Sequence, residues 1–175
     1  MTEISMPVKD IDWDTWEPEI LATLLFVVRD GRVLLIRKKR GLGEGKINGP
    51  GGKLDPGETP RECAIRETTE ELMITPLNVR SAGELLFHAE DMPRIHAHVF
   101  VATDFEGTPT ETEEAIPVWF RFDEIPFDEM WDDDRLWLPR VLKGESVRGY
   151  FTFVEETLLD HDVSFYGAEP ALPDR

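Results

Sequence analysis

The stretch that decides the fold is "GGKLDPGETPRECAIRETTEELMI", residues 51–74, which carries six Asp or Glu residues in two dozen positions. Three of these acids, Glu67, Glu70 and Glu71, lie within five residues of one another. Like charges at this spacing repel each other on a helix, and no lysine is interleaved to relieve the repulsion. Two interpretations follow: either the acids form a solvated helix face, or a cation binds among them.

The second half of this stretch carries helix signals. Thr59 can cap a helix, Pro60 suits the first helical position, and Glu62 completes a capping box. At about 100° per residue, five side chains gather on the side of the helix that we expect to be buried. They are Arg61, Ala64, Ile65, Thr68 and Leu72. The three clustered glutamates fall on a separate arc, well away from that side.

The loop before the helix favours a ligand over a solvated face. Gly51 and Gly52 let the backbone pass close to a ligand, and the turn at residues 55–57 brings Glu58 back towards the start of the helix. Clustered carboxylate oxygens are the ligands that hard divalent cations such as Mg²⁺ require. The loop and helix together therefore predict a metal site.

Outward from this stretch, strand and helix patterns alternate. Apolar runs at 19–28 and 33–38 flank Asp30-Gly31, which predicts a β-hairpin, and residues 41–58 are predicted to be loop. Further strands are predicted at 95–103 and 118–122, with a last strand at 147–156, and helical stretches at 123–130 and 133–143. This mixture predicts a single α+β domain around a mixed β-sheet.

Composition restricts the possible partners. The chain has 175 residues, enough for one sizeable core, and its 41% apolar content is that of a globular protein. A net charge of −17 repels polyanions, so we expect no duplex nucleic acid as partner. The exception is the basic run at residues 37–40, which suits a small anionic ligand.

Apolar runs and cysteine content bear on the cellular compartment. No apolar run approaches the roughly 18 residues that cross a bilayer, and the acidic N-terminus lacks the apolar core of a signal peptide. We therefore expect no membrane association. The single cysteine, Cys63, excludes an internal disulfide and favours a reducing cytoplasm.

The acidic stretch resembles the Nudix box, G-x5-E-x7-R-E-U-x-E-E-x-G-U, where U is a bulky aliphatic residue. The matching residues are Gly52, Glu58, Arg66, Glu67, Glu70, Glu71 and Ile74. Two positions depart from the pattern: Thr68 replaces an aliphatic residue, and Met73 replaces the glycine that normally ends the helix in a left-handed conformation. That conformation costs a residue with a side chain about 1 kcal/mol or more, so we expect the helix to end differently here.

Segments outside the box resemble the oxidised-purine nucleoside triphosphatases, the MutT-type 8-oxo-dGTP diphosphatases in their animal form. The segments are "KKRGLGEGKINGPGGK", "HVFVATDFEGTP", "VWFRFDEIPFDEMWDDDRLWLP" and "GYFTF". The resemblance covers roughly residues 20–154. It implies a Nudix α/β/α sandwich, with the box as loop-helix-loop, that uses Mg²⁺, or Mn²⁺, to cleave oxidised purine nucleoside triphosphates to monophosphate and pyrophosphate.

From this match we divide the chain into an N-terminal arm (1–19), a Nudix hydrolase domain (20–158) and a C-terminal tail (159–175), and we expect a monomer. The resemblance also implies roles for individual residues. Glu67, Glu70 and Glu71 would hold metal ions, completed by the carbonyl of Gly51 and by Glu114. Either Glu70 or Glu71 would assist deprotonation of the attacking water, and Arg66 would orient Glu58 or a catalytic glutamate.

Substrate contacts are predicted on both sides of the base. Trp131 can stack on a purine, and the neighbouring carboxylates can accept N–H groups of that purine. Adjacent carboxylates can also share a proton if burial raises the pKa of one of them. The alternative for this segment is an ordinary acidic helix N-terminus. The residues assigned to substrate are Thr23, Lys38, Asn48, Pro50, Gly51, Gly52, Lys53, Trp131, Asp132, Asp133 and Asp134. Pro50 and Asp132 replace an aromatic residue and a proline of the animal enzymes.

Two other functions stay open at this point. A Nudix hydrolase could act on an ordinary dNTP, a dinucleoside polyphosphate or an RNA 5′ end, although the charge of −17 disfavours long RNA. An inactive Nudix binding module usually lacks a box glutamate, and none is missing here.

Several other residues are predicted to be structural. For His96 and His98 a metal pair is conceivable, but strand packing or a pocket edge is expected because two ligands are few. Cys63 is expected to be inert. Trp13, Trp16 and Trp137 are assigned to packing.

Overall fold

The computed structural model describes residues 6–167, which form one nine-stranded mixed sheet with a helix on each face. The central strand order is β3-β2-β1-β6-β5-β8-β9, with β4 paired to β1 and β7 paired to β2. The strands are β1 Ile20–Arg29, β2 Arg32–Lys38, β3 Ile47–Asn48, β4 Gly51–Lys53, β5 Ile74–Ala89, β6 Ile95–Gly107, β7 Ala115–Arg121, β8 Ser146–Val154 and β9 Thr157–Tyr166. The helices are α1 Pro60–Leu72 and α2 Asp134–Leu142, and short 3₁₀ helices lie at Val8–Asp10, Phe122–Glu124 and Phe127–Glu129.

The predicted hairpin between β1 and β2 is confirmed. The two strands pair antiparallel with Arg29 opposite Arg32. Between them Asp30 and Gly31 both have positive φ, 53° and 73°. Two consecutive left-handed residues match the right-handed twist of the flanking strands, which is why an Asp-Gly pair is favoured in such turns.

Two separate cores lie on opposite faces of the sheet, because alternate residues of a strand point to opposite sides. On β1, Phe26 packs with Trp137 and Leu138 of α2. Its neighbour Leu25 packs on the other face with residues of α1 that include Ala64 and Leu72. The α/β/α sandwich is therefore confirmed.

Four strands were not predicted. The long strand β5 was not predicted, because Pro76 and a register shift between Ser81 and Gly83 interrupt its apolar alternation. The short strands β3 and β4 lie inside the predicted loop. The strand predicted to be the last, β8, is followed by β9, which pairs with it antiparallel and spans the boundary drawn at residue 158.

The helix predictions succeed only in part. The helical stretch predicted at 123–130 is wrong, because that segment holds two separate three-residue 3₁₀ turns around Pro126. The stretch predicted at 133–143 is confirmed as α2. None of the helices within residues 6–167 is long and apolar enough to cross a bilayer.

The described part of the N-terminal arm packs on the sheet. The backbone N–H of Val8 donates to Asp160 of β9 at 2.8 Å. The ring of Trp13 lies 4.8 Å from that of Tyr150 and 5.2 Å from that of Trp16, which supports the packing role predicted for both tryptophans.

Candidate active site

One cavity of about 790 Å³ joins the acidic helix to the Trp131 segment. Its lining includes most of the predicted metal and substrate residues, which come from parts of the chain more than 100 residues apart. They are Thr23, Lys38, Asn48, Gly51, Gly52, Lys53, Glu67, Glu70, Glu71, Glu114 and Trp131. Asp133 and Asp134 line it as well.

Two predicted substrate residues do not line this cavity. Pro50 is buried, and its carbonyl accepts the N–H of Leu25 at 3.0 Å in the pairing of β4 with β1. The carboxylate of Asp132 instead accepts the N–H of Leu158 on β9 at 3.0 Å. Both residues support neighbouring strands, and their assignment to substrate contact stays a prediction.

The helix that presents the glutamates begins as its sequence predicts. The side chain of Thr59 accepts the N–H of Glu62 at 3.1 Å, while the N–H of Thr59 donates to the Glu62 carboxylate at 2.9 Å. This reciprocal pair satisfies two of the otherwise unpaired groups at a helix start. Pro60 occupies the first helical position.

The end of α1 differs from the prediction. Met73 has φ 63° and ψ 31°, and its N–H donates to the carbonyl of Thr69 at 2.9 Å. The helix thus ends in the left-handed conformation that the box glycine normally supplies, and the expectation of a different ending is wrong. The Met73 side chain is 59% exposed, so space around it permits the conformation although its Cβ strains it.

Arg66 joins the returning loop to the helix. Its Nε and Nη2 donate to the two oxygens of Glu58 at 2.6 and 2.9 Å, a bidentate contact. Its Nη1 reaches Glu67 at 3.0 Å and Glu70 at 3.2 Å. The Arg66 hydrogen bonds lower the pKa of Glu58 to about 2, so Glu58 stays ionised. This geometry is that of a group that orients glutamates, as expected for Arg66.

Glu67 and Glu71 form an electrostatically unfavourable pair. Glu71 is only 6% exposed, which corrects the expectation that all three glutamates lie away from the buried side of α1. Burial, followed by the charge of Glu67, raises the pKa of Glu71 to about 8. Burial also raises the pKa of Glu67. A backbone hydrogen bond from Gly51 opposes the shift at Glu71.

This donor set fits a hard divalent cation. The carboxylates are adjacent, burial raises both pKa values, the charge of Glu67 further raises the pKa of Glu71, and the ligand atoms are all oxygen. Glu70, by contrast, is 56% exposed at its side chain and is held by Arg66 from one side. The cluster therefore offers two shielded carboxylates and one that faces solvent.

Glu114 lies at the rim of the same cavity. It pairs with Arg40, and that hydrogen bond lowers the pKa of Glu114, so its carboxylate is ionised. The nearby positive charge of Lys38 acts in the same direction. Its assignment as a metal ligand stays a prediction.

Asp133 and Asp134 are almost completely buried at the start of α2. Asp133 accepts the indole N–H of Trp137 at 2.8 Å, whereas Oδ2 of Asp134 has no hydrogen-bond partner among residues 6–167. Burial raises the pKa of Asp133 to about 6, and burial together with the charge of Asp133 raises the pKa of Asp134 further. Burial therefore favours the protonated form of both carboxyl groups. Trp137 thus positions Asp133 in addition to packing in the core.

Two aromatic rings, those of Trp131 and Phe153, line the same cavity as these carboxyl groups. Trp131 contacts Phe153 edge to face at 6.1 Å between ring centroids, and the ammonium of Lys46 lies 5.1 Å from the Trp131 ring. Elsewhere in the lining, the side-chain oxygen of Asn48 accepts the N–H of Gly49 at 2.8 Å, which leaves its amide nitrogen as a donor.

Several lining residues were not predicted, chiefly the apolar ones. Phe87, Met92 and Phe153 line the cavity. Phe153 lies within the "GYFTF" segment, which gave a usable signal. Phe87 belongs to the strand β5 that the sequence pattern did not reveal, and Met92 belongs to the turn after it, so neither carried a local signal.

Cys63 lies under the glycine loop. Its Sγ is 3.3 Å from the hydroxyl of Thr23, and burial raises the pKa of the thiol. A buried, protonated thiol is a poor nucleophile, which supports the expectation that Cys63 is inert.

Comparisons with known proteins agree with this architecture. The model of the NUDIX domain matches residues 18–141. The oxidized purine nucleoside triphosphate hydrolase of Danio rerio is 43% identical over 143 residues, which are 81% of this chain and 92% of that protein. The protein of the same name from Mus musculus is 40% identical over 145 residues, 82% of this chain and 93% of the relative.

Among solved structures, the mutator MutT protein of Bacillus halodurans superposes with a TM-score of 0.73 at 28% sequence identity. The match covers 82% of this chain and 97% of that protein. The matched family model covers more than half of the chain, including the loop, α1 and the base-side segment. The chain therefore belongs to the NUDIX domain family.

Proposed function

We propose that this protein is a Mg²⁺-dependent hydrolase that cleaves oxidised purine nucleoside triphosphates, such as 8-oxo-dGTP, to the monophosphate and pyrophosphate. The observation that carries the proposal is the single cavity in which the carboxylates of α1 and the buried pair Asp133 and Asp134 meet. Relatives at 43% and 40% identity that are named oxidized purine nucleoside triphosphate hydrolases support the substrate class.

In this proposal Glu67, Glu70 and Glu71 hold Mg²⁺, or Mn²⁺, with the Gly51 carbonyl and Glu114 as further ligands. When bound, the metal neutralises phosphate charge and lowers the pKa of water. Arg66 keeps Glu67 and Glu70 in register with the loop through its contacts with Glu58. Lys38 and Lys53, which also line the cavity, bring positive charge to the polyphosphate.

Glu70 is the glutamate best placed to accept the proton of the attacking water. Its side chain is 56% exposed, whereas Glu71 is buried against the loop. A general base must reach the water directly, and an exposed carboxylate held by one Arg66 contact at 3.2 Å can do so. Glu70 thus adds this role to metal binding, whereas Glu67 and Glu71 serve as metal ligands alone.

A second group of cavity residues, Trp131, Asp133 and Asp134, recognises the base. Trp131 supplies a face for stacking. A protonated Asp134 can donate to a purine carbonyl, and an ionised Asp133 can accept a purine N–H. A pair with one proton between its two carboxyl groups can serve bases with different patterns of donors and acceptors, such as 8-oxoguanine and 2-hydroxyadenine.

Steady-state rates with 8-oxo-dGTP, 2-hydroxy-dATP, dGTP and a 5′-triphosphorylated RNA test the proposal. We expect kcat/KM for an oxidised purine triphosphate to exceed that for dGTP. Faster turnover of dGTP or of the RNA end would contradict the proposed substrate and favour a Nudix hydrolase of another substrate. Absence of hydrolysis of every substrate would favour an inactive binding module.

The proposal extends to cellular context. The net charge of −17 supports a small nucleotide, rather than a duplex, as the partner of the site. A single cysteine, buried at Cys63, supports a reducing compartment such as the cytoplasm. We further propose that the enzyme acts as a monomer.

A further inference from the structure

A second group of potential metal ligands lies on the sheet face that also carries α1, because His98 is the register partner of Thr23, which contacts Cys63 of α1. Ile95 and Ala97 of β6 line the nucleotide cavity, so the alternate residues His96 and His98 project from the opposite face. On the neighbouring strand β5, Glu84 lies directly across from His98. None of the three ligand residues lines the nucleotide cavity.

The three side chains converge. One ligand atom each from Glu84, His96 and His98 can be chosen so that all three lie within 4.8 Å of one another. The two imidazole rings are stacked, with centroids 4.8 Å apart and planes 26° from parallel. Glu84 thus supplies the third ligand that the histidine pair lacked when the sequence alone favoured packing.

One polar atom of this group lacks a hydrogen-bond partner. Nε2 of His96 is shielded from solvent and has no hydrogen-bond partner among the described residues. Its nearest carboxylate oxygen, Oε2 of Glu84, is 3.7 Å away, which is too long for a hydrogen bond. A shielded imidazole nitrogen without a partner carries a free-energy cost, and a bound cation would remove that cost.

Glu84 is oriented by a residue of the next strand. Nη2 of Arg148 lies 3.5 Å from Oε1 of Glu84, on the oxygen that does not face His96. The arginine therefore leaves Oε2 available. Groups that hold one oxygen of a ligating carboxylate in this way are common around metal sites and fix the direction of the other oxygen.

We propose that Glu84, His96 and His98 bind a divalent transition-metal ion, Zn²⁺ in particular, at a site separate from the Mg²⁺ site of α1. Imidazole nitrogen suits Zn²⁺, whereas Mg²⁺ selects an all-oxygen set such as the α1 glutamates. Two His and one carboxylate leave the fourth tetrahedral position open to water.

Binding requires only side-chain adjustment. Ligands of a tetrahedral ion with bonds of about 2.0–2.2 Å lie roughly 3.4 Å apart. The present separations of up to 4.8 Å close to that value by small changes in side-chain torsion, because the three residues lie on adjacent paired strands. The half-exposed Arg148 leaves a route for the ion from solvent.

Co²⁺ absorption tests the site on the full-length chain. With the α1 site saturated by millimolar Mg²⁺, we expect one equivalent of Co²⁺ to give the intense visible bands of a low-coordinate site with nitrogen ligands, and Zn²⁺ to remove them by displacement. The double variant His96→Gln/His98→Gln should lose these bands. His161→Gln is the matched control, because His161 is exposed on β9, and it should keep them.

A second variant guards against misfolding. Glu84→Gln keeps the shape of the side chain while removing its charge, and we expect Co²⁺ affinity to fall at least about 10-fold, with unchanged far-ultraviolet circular dichroism. Bands of equal intensity in the wild-type chain and the double histidine variant would overturn the proposal. So would the absence of bands in a folded wild-type chain. Neither result depends on nucleotide hydrolysis.

Discussion

At the residue scale, Met73 shows that a backbone conformation can be retained after its preferred residue is lost. The tertiary structure on both sides demands a left-handed residue at this point: α1 ends there, and β5 begins at Ile74. Met73 adopts that conformation at φ 63°, so the backbone at this one residue is strained. The helix still ends where the box pattern places its end, and the glutamates keep their positions.

Met73→Gly should therefore stabilise the protein by about 1 kcal/mol, because glycine adopts this conformation without a Cβ clash. Urea unfolding measures the change. Met73→Ala is the matched control: it removes the exposed apolar side chain but keeps the Cβ, so it should leave stability nearly unchanged. Equal stabilisation by both variants would show that side-chain exposure, and not backbone strain, is responsible.

Asp133 and Asp134 make stability depend on pH. Burial raises both pKa values above the roughly 3.9 of an unfolded aspartate, so the folded state binds more protons. Their contribution to stability is complete below about pH 3.9 and is lost as pH rises through about 6 for Asp133 and through the raised pKa of Asp134.

Asp134→Asn removes one ionisable group from the pair. We expect the variant to gain stability relative to the wild-type chain when pH is raised from 5 to 8, since only the wild-type chain must take up a proton at buried Asp134 on folding, which costs more free energy as pH rises. Denaturant unfolding at both pH values gives the comparison. A stability difference that is the same at pH 5 and pH 8 would contradict the raised pKa.

At the element scale, two adjacent glycines in β4 have different tasks. A Cβ at Gly51 would clash with the backbone carbonyl of Thr23, which belongs to the paired strand β1. A Cβ at Gly52 would lie 2.5 Å from the carboxylate of Glu67, the end of a flexible side chain. The first glycine permits strand pairing, and the second permits a glutamate to approach the loop.

Gly51→Ala should destabilise the fold by roughly 2 kcal/mol or more, because backbone must move. Gly52→Ala should leave stability within about 0.5 kcal/mol but lower kcat by about 10²-fold, because Glu67 is displaced from its position at the metal. Thermal unfolding and steady-state kinetics on both variants separate the two effects. Full activity of Gly52→Ala would show that the position of Glu67 is not critical.

The elements that could be predicted are those with local signals. The capping box of Thr59 and Glu62 and the Asp30-Gly31 turn involve neighbours in sequence, so both appear as expected. Strand β5 is held by pairing with β6 and β8, partners about 10 to 60 residues away along the chain. Such pairing lets a strand tolerate Pro76 and a bulge that break its apolar pattern.

At the scale of the whole molecule, the cavity depends on contacts that no local pattern specifies. The box glutamates could be predicted because spacing on a single helix brings them together. The burial of Asp134 and the diversion of Asp132 to β9 could not, since they depend on how α2 packs against the sheet and on a strand that was not predicted. Phe87 and Met92 were missed for the same reason.

The central claim is that the carboxylates of α1 are held together in order to bind divalent metal on a nucleotide triphosphate. Isothermal titration calorimetry, with Mg²⁺ added to the protein saturated with a non-hydrolysable 8-oxo-dGTP analogue, tests this claim most directly. We predict nucleotide-dependent Mg²⁺ uptake that weakens at least about 10-fold in Glu67→Gln. The uptake should persist in Glu113→Gln, which alters an exposed glutamate outside the cavity lining. Equal Mg²⁺ uptake by the wild-type chain and Glu67→Gln, or no uptake by either, would contradict the account.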